Sequence, residues 1–259
     1  MPATDLPLLI DAARMAGRVA TSFAGPSAAR WDKPGDAGPV TEADIAVNDL
    51  LVSNLRMARP EYGWLSEETE DNTDRLSQDT VFIIDPIDGT RSFVEGSRTW
   101  AISIAVAQQG KITAAAIYLP LRSKMYAAGL GQGATLNGQK LTVTHAALDG
   151  TAKVLAARPN LEARYWPGGV PPLDRHYRPS LAYRLSLVGE GRFDGMITLR
   201  DSWEWDIAAG ALIVSEAGGQ ITDRTGSPLR FNNKTPKLNG VIAAAKPLHR
   251  DLVARHAQT

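Results

Sequence analysis

The sequence predicts an α/β chain, in the broad sense that includes α+β, organised as two halves over residues 1–150 and 151–259. Three observations carry this. Two helix-period patterns open the chain, short β-branched apolar runs bounded by Gly and Pro fill its middle, and strand-like and helix-like stretches alternate after about residue 150. At 259 residues the chain can bury a sizeable core, as one large domain or as two smaller ones.

Residues 6–20 set Leu9, Ala12, Ala13, Ala16 and Val19 along one stripe with Asp11, Arg14 and Arg18 largely opposite, which predicts an amphipathic packing helix. Residues 25–38 are rich in Gly, Pro, Ala and charge and read as a mobile loop carrying Trp31, Asp32 and Lys33. A second helix is predicted from Thr41, with Thr41 as N-cap and Glu42 and Asp44 in the first turn. Pro60 ends it. Trp64 and Leu65 lead through Ser66-Glu67-Glu68 into a polar surface loop, and residues 81–84 form a continuous apolar run that reads as an interior strand. Residues 100–107 and 112–118, divided by Gln108-Gln109-Gly110-Lys111, predict a hairpin, and 124–128 and 134–141 continue the pattern. The second half reads strand (154–157), helix (180–189), strand (195–199), helix (207–217), two more strands and a final helix (248–256). Gly131, Gly133 and Asn137-Gly138 are turn chemistry, because no helix follows to complete a phosphate loop.

Composition narrows the function. With 28 Lys+Arg against 28 Asp+Glu, the chain has no general attraction for nucleic acid polymers or anionic membranes, so a small anionic substrate must be held locally. No apolar run approaches the ~18 residues of a membrane span, and charges interrupt the N-terminal segment; a cytoplasmic protein is the expectation. The absence of cysteine excludes a disulfide framework, a thiolate nucleophile and cysteine-rich zinc or iron-sulfur sites. The four histidines, His145, His176, His249 and His256, show no paired spacing, which leaves carboxylates to carry any metal chemistry.

The segment Ile83-Ile84-Asp85-Pro86-Ile87-Asp88-Gly89-Thr90 places two carboxylates three residues apart where the predicted strand runs into a turn. Pro86 lacks a backbone donor and should end sheet pairing, while Gly89 tolerates conformations closed to other residues. Two carboxylates converging behind an apolar strand call for a cation or a shared proton, and oxygen-only ligands suit magnesium, manganese or calcium. The competing reading is an Asp-Pro turn followed by an Asx turn closing a hairpin. Three further acidic places stand beside it: Glu67-Glu68, Asp44, and Asp206 ahead of an Ala-rich helix. Taken singly, each has a plain explanation as a solvated loop or a helix cap.

Taken together and in order, these motifs resemble the lithium-sensitive, magnesium-dependent phosphomonoesterases of the inositol monophosphatase superfamily. DPIDGT followed by Arg91-Ser92-Phe93-Val94-Glu95-Gly96 is similar to the family's first signature, and WDIAAG with EAGG to its second. Lys33, Pro39-Val40-Thr41-Glu42-Ala43-Asp44 and Ser66-Glu67-Glu68 fall in the family's order. The resemblance implies a layered α-β-α-β-α sandwich, with most metal ligands in the first half and the rest of the site in the second. It implies one Mg2+ on Glu67, Asp85 and the Ile87 carbonyl, a second on Asp85, Asp88 and Asp206, and a third, weaker ion held through water near Glu67. Mn2+ is the implied substitute and Li+ an inhibitor. Asp44 and Thr90, with Glu67, would serve the attacking water; Gly89, Thr90, Arg91, Lys33, Ser180 and Asp206 would meet the substrate. A homodimer is common in such proteins, although no interface is legible in this chain.

Within the superfamily, four features resemble the bacterial 3'(2'),5'-bisphosphate nucleotidases: Ser66-Glu67-Glu68, Pro39-Val40-Thr41, Arg91, and Glu204-Trp205-Asp206. They imply hydrolysis of 3'-phosphoadenosine 5'-phosphate to AMP and phosphate, a step tied to sulfur assimilation. Ile87 and Phe93-Val94-Glu95-Gly96 are closer to inositol monophosphatases, the alternative reading. The polyol-binding acid those enzymes carry before WD has Asp201 as its one candidate here. Arg178, Arg184 and Arg200 are candidates to meet a second phosphate, and Arg91 could instead pair with Glu95 along a helix face. A further alternative is a regulatory, RNA- or RNA polymerase-binding member of the same fold.

Overall fold

The computed structural model describes residues 5–23, 25–32 and 38–256. Lys33 lies outside the described residues.

Two helices open the chain, α1 (Asp5–Ser22) and α2 (Glu42–Ala58). Between them Arg30–Asp32 (β1) pairs antiparallel with Pro39–Thr41 (β2), so Trp31 and Asp32 lie on a short strand rather than in the predicted loop. Thr41 caps α2 through a capping box: its hydroxyl accepts from the Asp44 amide, and the Asp44 carboxylate accepts from the Thr41 amide.

A seven-stranded sheet follows in the order Gly63–Ser66 (β3), Thr80–Asp88 (β4), Ala101–Gln108 (β5), Lys111–Leu119 (β6), Lys124–Gly129 (β7), Gly133–Leu136 (β8) and Gln139–Lys140 (β9). Only β3 and β4 are parallel. The predicted hairpin is β5–β6, closed by Gln109 and Gly110 with φ of 49° and 77°, the left-handed pair that a tight two-residue turn needs. The run predicted over 134–141 is instead a second hairpin, β8–β9, folded at Asn137-Gly138.

The second sheet has the order β11-β10-β12-β16-β14, built from Asp174–His176 (β11), Lys153–Ala156 (β10), Gly195–Thr198 (β12), Val241–Ala244 (β16) and Gln220–Thr222 (β14). A two-residue pair, Ser202–Trp203 (β13) with Lys237–Leu238 (β15), lies at the start of α5. The remaining helices are α3 (Thr90–Val94), α4 (Leu181–Gly189), α5 (Glu204–Glu216) and α6 (Lys246–His256). The short strands β11, β13 and β15 carry too few residues to show a period and were not legible in the sequence.

Three cores define the layers. Leu9, Ala13 and Ala16 of α1 and Val47, Leu51 and Leu55 of α2 pack on Phe82, Ile84, Ile102 and Ile104 of the large sheet. The opposite face, with Ile83, Ala105, Ala115 and Ile117, meets α4, α5 and one face of the second sheet through Leu155, Met196 and Ala243. The other face of the second sheet packs on Leu248 and Leu252 of α6. The order is therefore α-β-α-β-α. In the middle layer α5 is buried on nearly every side, which explains its apolar sequence. A Cβ at Gly210 would lie 2.5 Å from Leu185, so the close approach of α5 to α4 requires glycine there.

Candidate metal centre and its cavity

β4 brings the first two carboxylates to the end of the sheet. Asp85 still pairs with Ser103, the register then shifts, and pairing resumes at Asp88 opposite Ala101. Pro86 thus interrupts the ladder rather than ending the strand, and the irregularity turns Asp85 and Asp88 toward the same side. Gly89 follows with φ of 96° as N-cap of α3, a conformation that glycine accepts without strain. Asp206 arrives from the other half as the third residue of α5, whose N-cap is Trp203; the helix starts three residues before the predicted 207.

Asp85, Asp88 and Asp206 each offer an oxygen within 4.8 Å of the others. Asp85 and Asp88 are buried, and Asp85 Oδ1 has no hydrogen-bond partner. Asp88 is held from behind, its Oδ2 accepting from the Ser180 hydroxyl at 2.6 Å and from the Ala182 amide at 2.6 Å. Ser180 also caps α4 by accepting from the Tyr183 amide, in a backbone conformation with φ of 67° that is rare outside glycine. Burial pushes the Asp85 carboxyl well up, with Glu67 and Asp88 adding to it, and raises Asp206 likewise, with Asp88 and Glu67 as the repelling neighbours. Asp88 is pushed up to about 6 by burial, against the Ser180 and Ala182 hydrogen bonds. Carboxylates crowded this way, with burial outweighing their few donors, suit hard, oxygen-binding cations, and the orphaned Asp85 oxygen is the atom such an ion would satisfy.

Glu67 lies just beyond β3, its amide donating to the Ile84 carbonyl at 3.2 Å, and its side chain lines the same cavity. Asp44 is buried beside it: Oδ2 accepts from the Thr41 amide at 2.8 Å and hydroxyl at 2.5 Å, and Oδ1 accepts from the Thr90 hydroxyl at 3.2 Å. The Thr90 hydroxyl also lies 3.2 Å from the Ile87 carbonyl. Burial raises the Asp44 carboxyl, against the Thr41 bonds.

The cavity over this cluster measures about 430 Å³ and is lined by Glu67, Asp85, Asp88, Gly89, Thr90, Arg91, Ser180 and Asp206. Tyr177, Arg184, Arg200, Asp201, Trp203 and Trp205 form its outer wall. Buried Arg184 sits over the Tyr177 ring at 4.5 Å, and Trp203 stacks on Trp205 with ring centroids 4.7 Å apart. The sequence pattern gave no sign of the Trp203–Trp205 wall beyond two tryptophans flanking one acid. A larger cavity, about 540 Å³, lies on α6 and β14, but its lining holds no acidic residue.

Of the four features that resembled nucleotidases, three contain a framework residue. Thr41 caps α2, Ser66 donates to Asn48 Oδ1 at 2.8 Å, and Glu204 is fully buried, accepting from the Asn232 and Asn233 amides at 2.6 and 2.9 Å. Arg91 lines the cavity, as do Pro39, Glu67, Trp205 and Asp206 of the other features, and no ion pair joins it to Glu95 among the described residues. Arg184 and Arg200 line the cavity, whereas Arg178 stands over Phe193 outside the lining. Asp201 lines it too, with Arg224 Nη1 at 3.9 Å.

The chain resembles known proteins along most of its length. The inositol monophosphatase family model matches residues 3–259. The chain is 34% identical over 255 residues to Nus factor SuhB of Escherichia coli K12, covering 93% of this chain and 91% of that protein. It is 38% identical over 204 residues to the inositol-1-monophosphatase of Rhizobium meliloti, covering 74% of each. The crystal structure of the extragenic suppressor protein suhB from Bartonella henselae superposes with a TM-score of 0.82 at 29% identity, over 98% of this chain and 99% of that one.

Proposed function

Because this chain belongs to the inositol monophosphatase family, we propose that it is a divalent-metal-dependent phosphomonoester hydrolase acting on small polyol phosphates such as inositol 1-phosphate. The observation that carries the reading is the cluster of Asp85, Asp88 and Asp206 with a buried, unpartnered Asp85 oxygen at the floor of an open cavity. Asp85, Asp88 and Asp206, with Glu67 and the Ile87 carbonyl, would hold Mg2+. Bound there, the metal supplies charge that polarises the phosphate and lowers the pKa of water.

The chain's own groups do the rest. The Asp44 carboxylate, fixed by two bonds from Thr41, orients the Thr90 hydroxyl and gives it an acceptor for its proton. That hydroxyl in turn positions the attacking water. Gly89, Thr90 and Arg91 face the phosphate, and Ser180 keeps Asp88 aimed by holding its outer oxygen.

The relatives named inositol-1-monophosphatase support a polyol phosphate, and the framework roles of Thr41, Ser66 and Glu204 remove most of the support for a bisphosphate nucleotidase. One observation favours that second reading: Trp203, Tyr177, Arg200 and Arg91 give the cavity an aromatic and basic wall suited to a nucleobase and a second phosphate. Comparing kcat/KM for inositol 1-phosphate and 3'-phosphoadenosine 5'-phosphate decides between them. Preference for inositol phosphate, unaltered by Trp203→Ala, supports the first. Preference for the nucleotide, lost by about 10-fold or more in Trp203→Ala, as stacking energies imply, replaces it with the second.

A further inference from the structure

Glu67 and Asp206 reach the cavity from separate parts of the chain, one beyond the edge strand of the large sheet and one in the first turn of α5. A polar chain built on buried Arg75 and Glu204 joins the two. The Arg75 side chain is fully buried and makes a two-pronged contact with Asp71, Nε to Oδ1 at 2.7 Å and Nη2 to Oδ2 at 2.8 Å. Asp71 is four residues beyond Glu67. The same guanidinium donates to Asn232 Oδ1 at 2.6 Å and to the Asn233 carbonyl at 2.9 Å, while Asn232 Nδ2 returns a bond to the Arg75 carbonyl at 3.1 Å. The Asn232 and Asn233 amides and Asn233 Nδ2 then converge on Glu204, two residues before Asp206.

We infer that this Asp71–Arg75–Asn232/Asn233–Glu204 bridge is a positioning device that fixes the Glu67 segment against the first turn of α5 and thereby sets the affinity of the acid cluster for its divalent ions. The inference rests on reading that cluster as a metal site. Three features support a positioning role. The bridge's two charged hubs, Arg75 and Glu204, are buried while Asp71 is exposed and the two asparagines are half-buried, every link is a hydrogen bond of ordinary length, and the bridge ends on both sides within four residues of a cavity carboxylate. The other end of the Glu67 segment is fixed independently, by Ser66 and Thr69 on Asn48, so the bridge ties the segment to the second half of the chain.

The test uses Mn2+ alone, titrated calorimetrically into metal-free full-length protein, with melting temperature measured on the same samples. Asn232→Gly keeps the positive φ of 63° and both amide bonds to Glu204, and removes only the side-chain links to Arg75. Glu204→Gln breaks the other end. Loss of about 10-fold or more in Mn2+ affinity in both variants, the lower end of what removing a direct partner of a metal ligand costs, is the expected result. A folded Asn232→Gly protein that binds Mn2+ as tightly as the unaltered chain, whatever its melting temperature, overturns the bridge as a positioning device. If the unaltered protein binds no Mn2+, the metal reading itself fails and the bridge falls with it.

Discussion

Glu204 and Asp85 are both buried carboxylates, at 0% and 1% exposure, and their surroundings are opposite. Glu204 accepts from two backbone amides and the Asn233 side chain, with Arg75 near enough to favour its charge; burial still raises its pKa, and these donors oppose that. Asp85 has one oxygen with no donor at all and four further carboxylates raising its pKa. Fully paired burial is what a protein does with a charge that holds structure together. Unpaired burial among like charges is unfavourable in the metal-free chain and makes sense only where a cation completes it. The contrast separates scaffold from site without reference to any relative.

Substitution should therefore move activity and stability in opposite patterns. Asp85→Asn is expected to lower phosphate release by about 10³-fold or more, since the metals supply several kcal/mol of stabilisation to the transition state. Its metal-free melting temperature should stay level or rise, because one repelling charge is gone; a marked fall would erase the contrast. Thr90→Val removes the hydroxyl held by Asp44 and should lower kcat by on the order of 10²-fold, the lower range for a positioned proton acceptor, with Mg2+ binding unchanged. Glu204→Ala leaves three donors unpaired and should cost about 3 kcal/mol of stability in chemical denaturation of the metal-free protein. A Glu204→Ala protein as stable as the parent would show that its hydrogen bonds are not the anchor described here.

The smallest effect concerns a paired buried group far from the cluster. His249 is buried, contacts Thr222 Oγ1 through Nε2 at 2.9 Å, and has its pKa lowered by burial. A histidine favoured in its neutral form adds stability above its ordinary value near 6.5, and that stability is lost as pH falls through and below it. The difference in metal-free melting temperature between the unaltered protein and His249→Gln should thus narrow from pH 7 to pH 5, since the crowded Asp85, Asp88 and Asp206, whose raised pKa values favour folding as pH falls, act alike in both. A difference that does not change with pH would show that His249 carries no such contribution.

Much of this was legible in the sequence because the physics was local. The Thr41-to-Asp44 spacing is a capping box, the Gln109-Gly110 turn follows from left-handed tolerance, and the Val81-to-Ile84 run leads into the Asp85 turn. The acids of the site were legible as residue types, and the structure brings Asp44, Glu67, Asp85, Asp88 and Asp206 to one cavity region. What sequence could not show was which polar residues face each other across the chain. Arg75 and Asn232 are 157 positions apart, and neither carries a local signal. The same blindness made Glu204 look like a specificity feature, since its neighbours Trp205 and Asp206 do face the cavity while its own side chain turns into the scaffold. Pro86 misled for a related reason: it removes one ladder bond, but the partner strand resumes pairing at Asp88.

The most direct test of the central claim is phosphate release from inositol 1-phosphate by the unaltered protein and by Asp85→Asn, each measured with Mg2+ and with chelator. Turnover should require Mg2+ in the unaltered protein and be absent in Asp85→Asn. Turnover that survives chelation, or that Asp85→Asn retains at near-normal rate, would rule out the acid cluster as a catalytic metal site.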